Sequence, residues 1–357
     1  MTRDRLKTAA SVLIFLSLAL SGALPVELKL QDYIQDVLVA VDLYGEPTMP
    51  VERAAQLARA AGARLQILYV ASPRVHQSTT ARLHAVAAGV RSRYGVPVEV
   101  DVVAGRPHSA IASRAADAGA DLVVLGAHRR SLMRDMFVRP TAERSRHEYP
   151  APILIVNGEP RGAYDRILMP TDFSAPSAEA ARATRALFPT ASLHYLHVFT
   201  GLFESRVALA GDADQIIGYR NGMMLRARQE IERFVEREHL PTPASLLVYH
   251  GHRATCIRTA ARQLGSSLIV LGTSKSRIVA ALPGSVTGEL VERAPTDLLV
   301  LDARAIAARQ TPFTNRCSGS RGPLLGRPPG NHRVAMAATH PSAWCTHATG
   351  GHMRPLR

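Results

Sequence analysis

Short apolar runs alternate with longer amphipathic stretches along most of the chain, and the alternation happens twice. In the first round, residues 34–41, 64–70, 96–103, 121–125 and 153–156 read as strands, with helices over 50–61, 78–93, 108–118 and near 141–147. In the second, strands are expected over 166–169, 192–199, 245–249, 268–271 and 298–301, with helices over 177–187, 215–238, 254–264 and 285–293. Pro50 suits a first helical position, where its missing N–H has no partner to lose. Strands and helices in alternation, joined by short loops, imply parallel pairing and right-handed crossovers.

The two rounds agree at their strand ends. The opening strand runs into Asp in both, at Asp42 and Asp172, and the fourth runs into Gly in both, at Gly126 and Gly272. In an open α/β sheet these tips are where ligands bind. Taken singly, each residue has a plainer reading: Asp serves turns and helix starts, and Gly a strand end that needs an unusual backbone angle. Both residue types at matching places in both rounds point to a shared ancestral pocket.

After Gly272 the chain reads Thr-Ser-Lys275 and continues to Gly284-Ser285-Val286, where a helix is expected to begin. Glycine lets backbone N–H groups approach an anion, the helix start supplies positive potential, and the Ser285 hydroxyl adds a donor. At these residues the sequence resembles the universal stress protein family in its tandem two-domain form, over residues 34 to about 303.

The resemblance implies an α/β fold of two repeated five-stranded parallel sheets with helices on both faces, adenine nucleotide α-hydrolase-like and Rossmann-like. Some members bind ATP through Gly-x2-Gly-x9-Gly-Ser/Thr. Carried across, Asp172 matches the acidic residue on the ribose or adenine side, and Val198 the residue whose backbone recognises adenine. Gly272, Gly284 and Ser285 match the phosphate loop, with Val286 next to it. Lys275 stands at the second glycine position, with only eight residues between it and Gly284, where its charge could offset phosphate. Repeat one departs further. Arg129 replaces the second glycine, and Arg139-Pro140 stand where Gly-Ser is expected, with Thr141 next. Pro140 removes a backbone donor where one is needed. His128, Arg129 and Arg130 could hold an anion by their side chains, but a loop kept for the fold is the favoured reading. Adenine nucleotide is therefore expected in repeat two, with ATP as its cofactor. In the family the fifth strands of two domains commonly pair. Residues 296–301 are thus expected to pair with 152–156 as a pseudo-dimer that covers an exposed edge, and a homodimer of chains stays open.

The ends fall outside the resemblance. Residues 1–29 form an extension, 30–157 and 163–303 the two domains, and 304–357 a tail. Arg3, Arg5 and Lys7 precede an apolar stretch over 9–20 and then Ser21-Gly22-Ala23, the layout of a secretory signal. Nucleotide-binding modules favour a cytoplasmic protein, with export or tethering through 9–24 as the alternative. The run is short for a span, so no stable membrane insertion is expected. Net charge is +14, yet Lys occurs only at 7, 29 and 275, and seven Arg lie in 305–357 without one Asp or Glu. That accounts for half of the excess, so no specific nucleic-acid partner is expected. The tail is poor in aliphatic residues and is expected to stay unordered.

Three cysteines make neither a disulfide framework nor a metal site, and Cys256 reads as a packed residue. Residues 1–357 contain no Gly-x-x-x-x-Gly-Lys-Ser/Thr loop, no Gly-x-Gly-x-x-Gly after the first strand and no Gly-x-Ser-x-Gly elbow. The expected function is a non-catalytic, nucleotide-responsive stress regulator. A nucleotide-hydrolysing α/β enzyme and an interaction scaffold with vestigial pockets are the alternatives.

Overall fold

Val37, Leu38 and Val39 are all buried, on both faces of their strand, which makes β1 (Asp36–Val41) the middle of a parallel sheet rather than an edge. The computed structural model describes residues 33–41, 48–71, 77–127, 151–200, 213–273 and 286–302. After β1 come α1 (Thr48–Ala61), β2 (Arg64–Ala71), α2 (Gln77–Tyr94), β3 (Val98–Ala104), α3 (Pro107–Ala118), β4 (Leu122–Gly126) and β5 (Ile153–Val156). The second round is β6 (Arg166–Thr171), α4 (Ala175–Leu187), β7 (Ser192–Phe199), α5 (Ala213–Arg237), β8 (Ser245–His250), α6 (Arg253–Leu264), β9 (Leu268–Thr273), α7 (Val286–Arg293) and β10 (Asp297–Asp302).

The strands form one sheet in the order β3-β2-β1-β4-β5-β10-β9-β6-β7-β8. Each half is parallel and five strands wide, as the repeat predicts. The halves join where β5 and β10 run antiparallel, with Leu298 opposite Ile155, Leu299 opposite Leu154 and Val300 opposite Ile153. Leu154 and Leu299 hold the same place in their repeats, so this register is symmetric about them. A pseudo-twofold axis passes there, and the two edges that would otherwise lie bare cover each other.

Helices α1, α2, α4 and α5 pack on one face of the sheet, and α3, α6 and α7 on the other. The first cluster runs across the join without a break, from Val39 through Leu154 and Leu299 to Met169. Alanine sets how close the helices come: Ala54, Ala55 and Ala58 in α1, and Ala180 and Ala181 in α4, are fully buried. Helices α3 and α6 each end at a left-handed glycine, Gly119 and Gly265, which takes up their last free carbonyls. Contacts group Met1–Pro312 as one unit and Phe313–Arg357 as a second. The second unit, the extension before Tyr33, Asp42 and the helix expected near 141–147 lie outside the described residues, as do His128, Arg129, Arg130, Arg139, Pro140 and Thr141. Among the described residues no helix is long and apolar enough to cross a membrane.

Candidate functional site

In each half the chain turns back beside its first strand: β6 is followed outward by β7 and β8, while β9 and β10 lie on its other side. The crevice at the C-terminal ends of β6 and β9 is a topological switch point, the usual ligand site of an open α/β sheet. In repeat one the matching strands stay paired from Val37 opposite Leu122 to Ala40 opposite Leu125. In repeat two only Ile167 opposite Leu268 and Leu168 opposite Ile269 are paired. The ladder stops short of Pro170, whose ring nitrogen has no hydrogen to give. Repeat two thus lacks the further ladder hydrogen bonds that join the matching strands of repeat one.

Asp172 stands at the tip of β6, on the rim of this crevice. Its Oδ1 accepts from Ser174 N at 3.2 Å, from Ser174 Oγ at 2.5 Å and from Ser177 Oγ at 2.7 Å. Partial burial works against the charge, but the hydroxyls of Ser174 and Ser177 outweigh it and hold the carboxyl below its usual range. Ser174 is also the N-cap of α4, accepting from Ser177 N. The carboxylate is thus ionised and fixed in direction, with Oδ2 outside this network. Phe173 makes the turn possible at φ 64, an uncommon angle for a residue with a side chain. Its ring stacks on the imidazole of His197.

Val198 lies in β7, one residue past His197, the last β7 residue paired to β6. Its side chain is buried, and it stands in register with Tyr249 of β8. Gly272 sits near the end of β9, but it does not take the unusual backbone angle that glycine at a strand end suggests. Its reason is close approach. A Cβ there would run into the Pro176 carbonyl, with the carbonyl carbon 2.7 Å away and Ala180 Cβ at 3.0 Å. Gly126 repeats the device in the first half, where a Cβ would meet Pro50 Cγ at 2.9 Å. Both glycines let the helix after the first strand close onto the sheet. Val286 opens α7 and is half-buried on the second face of the sheet. Lys275, Gly284 and Ser285 lie outside the described residues.

The structure brings Asp172, Val198 and Gly272 to one end of one half-sheet. It adds Pro170, Phe173, Ser174, Ser177 and His197, which the sequence reading did not single out. A proline inside an apolar run and the Ser-x-Pro-Ser pattern of a capped helix start were the readable signals. Cys256 is a packed residue, as expected: its thiol reaches the His250 carbonyl at 3.6 Å, and burial pushes its pKa up.

The sequence profile of the universal stress protein family matches residues 34–157 and again 163–302. The chain belongs to the universal stress protein family. Two solved structures agree in fold over most of the chain. A functionally unknown protein from Pseudomonas aeruginosa PAO1 is 18% identical with a TM-score of 0.53, over 78% of this chain and 96% of its own. A universal stress protein from Archaeoglobus fulgidus is 16% identical with a TM-score of 0.54, over 77% of this chain and 98% of its own. A universal stress protein solved in complex with cAMP is 25% identical over 35% of this chain and 98% of its own, with a TM-score of 0.27. No curated protein matches the chain.

Proposed function

We propose that this universal stress protein is a regulator that binds an adenine nucleotide, ATP, in repeat two (163–303) without turning it over, and that repeat one (30–157) is its structural partner. One observation supports the reading: Ser174 and Ser177 hold the Asp172 carboxylate at the C-terminal end of β6, where the β6–β9 ladder has already ended after Leu168 and Ile269. In this reading Asp172 takes ribose hydroxyls through its free oxygen, and the Val198 backbone takes the adenine edge. The phosphates go to the stretch after Gly272, where Lys275 supplies charge and Gly284, Ser285 and Val286 supply a helix start. The same reading puts the protein in the cytoplasm, where that ligand is found.

Calorimetry of the full chain with ATP, and separately with cAMP, tests it. One site is expected, weakened at least about tenfold in Asp172→Asn, because a charge-assisted hydrogen bond is lost. Two equal sites, or an affinity that ignores Asp172→Asn, would overturn it. Phosphate release by the same preparation would overturn the non-catalytic part alone.

A further inference from the structure

Arg53, in the first turns of α1, reaches across the join to the start of β10. Its Nε stands 3.2 Å from Oδ2 of Asp297, and the two side chains are 6% and 4% exposed. The contact is an ion pair out of line for a hydrogen bond, since Nε has no hydrogen-bond partner. Nη1 donates instead to the Gly162 carbonyl at 2.6 Å and to Gln56 at 3.1 Å. The guanidinium lies 4.4 Å over the Tyr164 ring, and the Tyr164 hydroxyl donates to Asp297 Oδ2 at 2.5 Å. Burial, first, and the Asp297 charge, second, push the Tyr164 pKa far up, so that proton stays. Asn157 N closes the set on Asp297 Oδ1 at 2.9 Å.

The pseudo-twofold axis does not repeat these charges. Pro50 and Pro176 occupy matching places, each against the glycine at its own fourth-strand tip, so the third residue after each also matches: Arg53 corresponds to Glu179. The symmetric β5–β10 register makes Pro152 the counterpart of Asp297, and Tyr164 corresponds to Ile34. Opposite Glu179, the place of Asp297 is thus held by a residue with neither charge nor N–H. Glu179 Oε2 is accordingly buried with no hydrogen-bond partner.

We propose that this unequal charge set selects the partner at the fifth-strand edge: each repeat fits an unlike repeat, from its own chain or a second copy, and rejects its own kind. Pairing β10 with β10 would turn Glu179 onto Asp297 twice. Glutamate Oε and arginine Nε lie the same number of bonds from Cα, so two carboxylates would meet where the ion pair now sits. Pairing β5 with β5 would turn Arg53 onto Pro152 twice and bury two guanidinium groups without counter-charge. Both arrangements bury unpaired or like charge, which is costly where water cannot screen it. The covalent linker then only raises the local concentration of a partner that the interface already chooses.

The test uses the full chain with a protease site inserted after Glu159, which is exposed in the linker. The cleaved protein is examined by native mass spectrometry. Unlike pairs should outnumber second-repeat like pairs by more than about a hundredfold, the ratio that several kcal/mol of like-charge cost implies. Glu179→Arg, which offers Asp297 of another copy a counter-charge, should raise the second-repeat like pairs at least about tenfold. Glu179→Gln keeps the shape and removes only the charge, so it should raise them by less. A rise in either variant supports the proposal. Halves that fall apart singly, a statistical mixture in the wild type, or no rise in either variant overturns it.

Discussion

The ring of Phe173 stacks on the imidazole of His197, with centroids 4.2 Å apart and planes inclined by 23°. His197 Nδ1 lies 3.0 Å from the Thr171 carbonyl, which fixes the proton on that nitrogen in the neutral ring. Burial pulls the His197 pKa below its usual value, and the Thr171 carbonyl only partly opposes this. Phe173 also meets Phe234 of α5 edge-on at 5.5 Å. Phe173 thus ties the turn after β6 both to the long helix, through Phe234, and to a neutral imidazole on β7.

A depressed histidine pKa gives stability that is present above the unfolded value, near 6.5, and is lost as pH falls through the folded value. Urea unfolding followed from pH 7.5 to 5 should show stability falling on the acid side. His197→Gln, which does not titrate there, should flatten that slope. An unchanged slope would leave His197 out of the linkage.

Gly272→Ala forces a Cβ into the Pro176 carbonyl, which is backbone in the first turn of α4 and cannot yield cheaply. A loss of about 2 kcal/mol or more is expected from such overpacking. Gly126→Ala meets only the Cγ of the Pro50 ring and should cost less. Urea midpoints of the two variants, compared at equal slope, check the order.

Arg53→Ala leaves Asp297 charged and buried, with the Tyr164 ring uncovered. Breaking a buried pair from one side costs about 3–5 kcal/mol. Arg53→Met combined with Asp297→Asn keeps the volume and an acceptor for Tyr164 and Asn157, and should cost less than half of that. A double-mutant cycle on thermal or urea unfolding measures the difference.

Ser174→Ala removes both the α4 cap and a hydroxyl from Asp172. Stability should fall by about 1 kcal/mol. The Asp172 pKa should rise towards its usual value as the hydroxyl that lowers it is lost. Carboxyl chemical shifts recorded through an acid titration read the second effect directly.

The order of strands and helices was legible because the code is local. Residues 192–199 and 153–156 are strands over their full expected length, since an apolar run between turn residues has one cheap way to bury itself. Ends moved by a residue or two. Helix α4 begins at Ala175 rather than 177 because Ser174 caps it, and β6 runs on through Pro170 to Thr171. The pairing of β5 with β10 was legible through the repeat, since two equal edges in one chain can cover each other.

What the sequence by itself determined is therefore the repeat, the parallel halves, the polar strand tips and the family, all carried by periodicity and by residues close together in the chain. The tertiary structure alone decided where the β6–β9 ladder ends, because that depends on how β6 lies against β9, a strand about a hundred residues away in sequence. It also gave Gly272 its packing role, which needs the helix α4 to be in place. Most of all it decided the meaning of Arg53, Glu179 and Asp297. Nothing near them in sequence marks them as a set. Only folding across the pseudo-twofold axis brings Arg53 to Asp297 and leaves Oε2 of Glu179 buried without a hydrogen bond, since charge selects a neighbour only after the chain has removed the water between them.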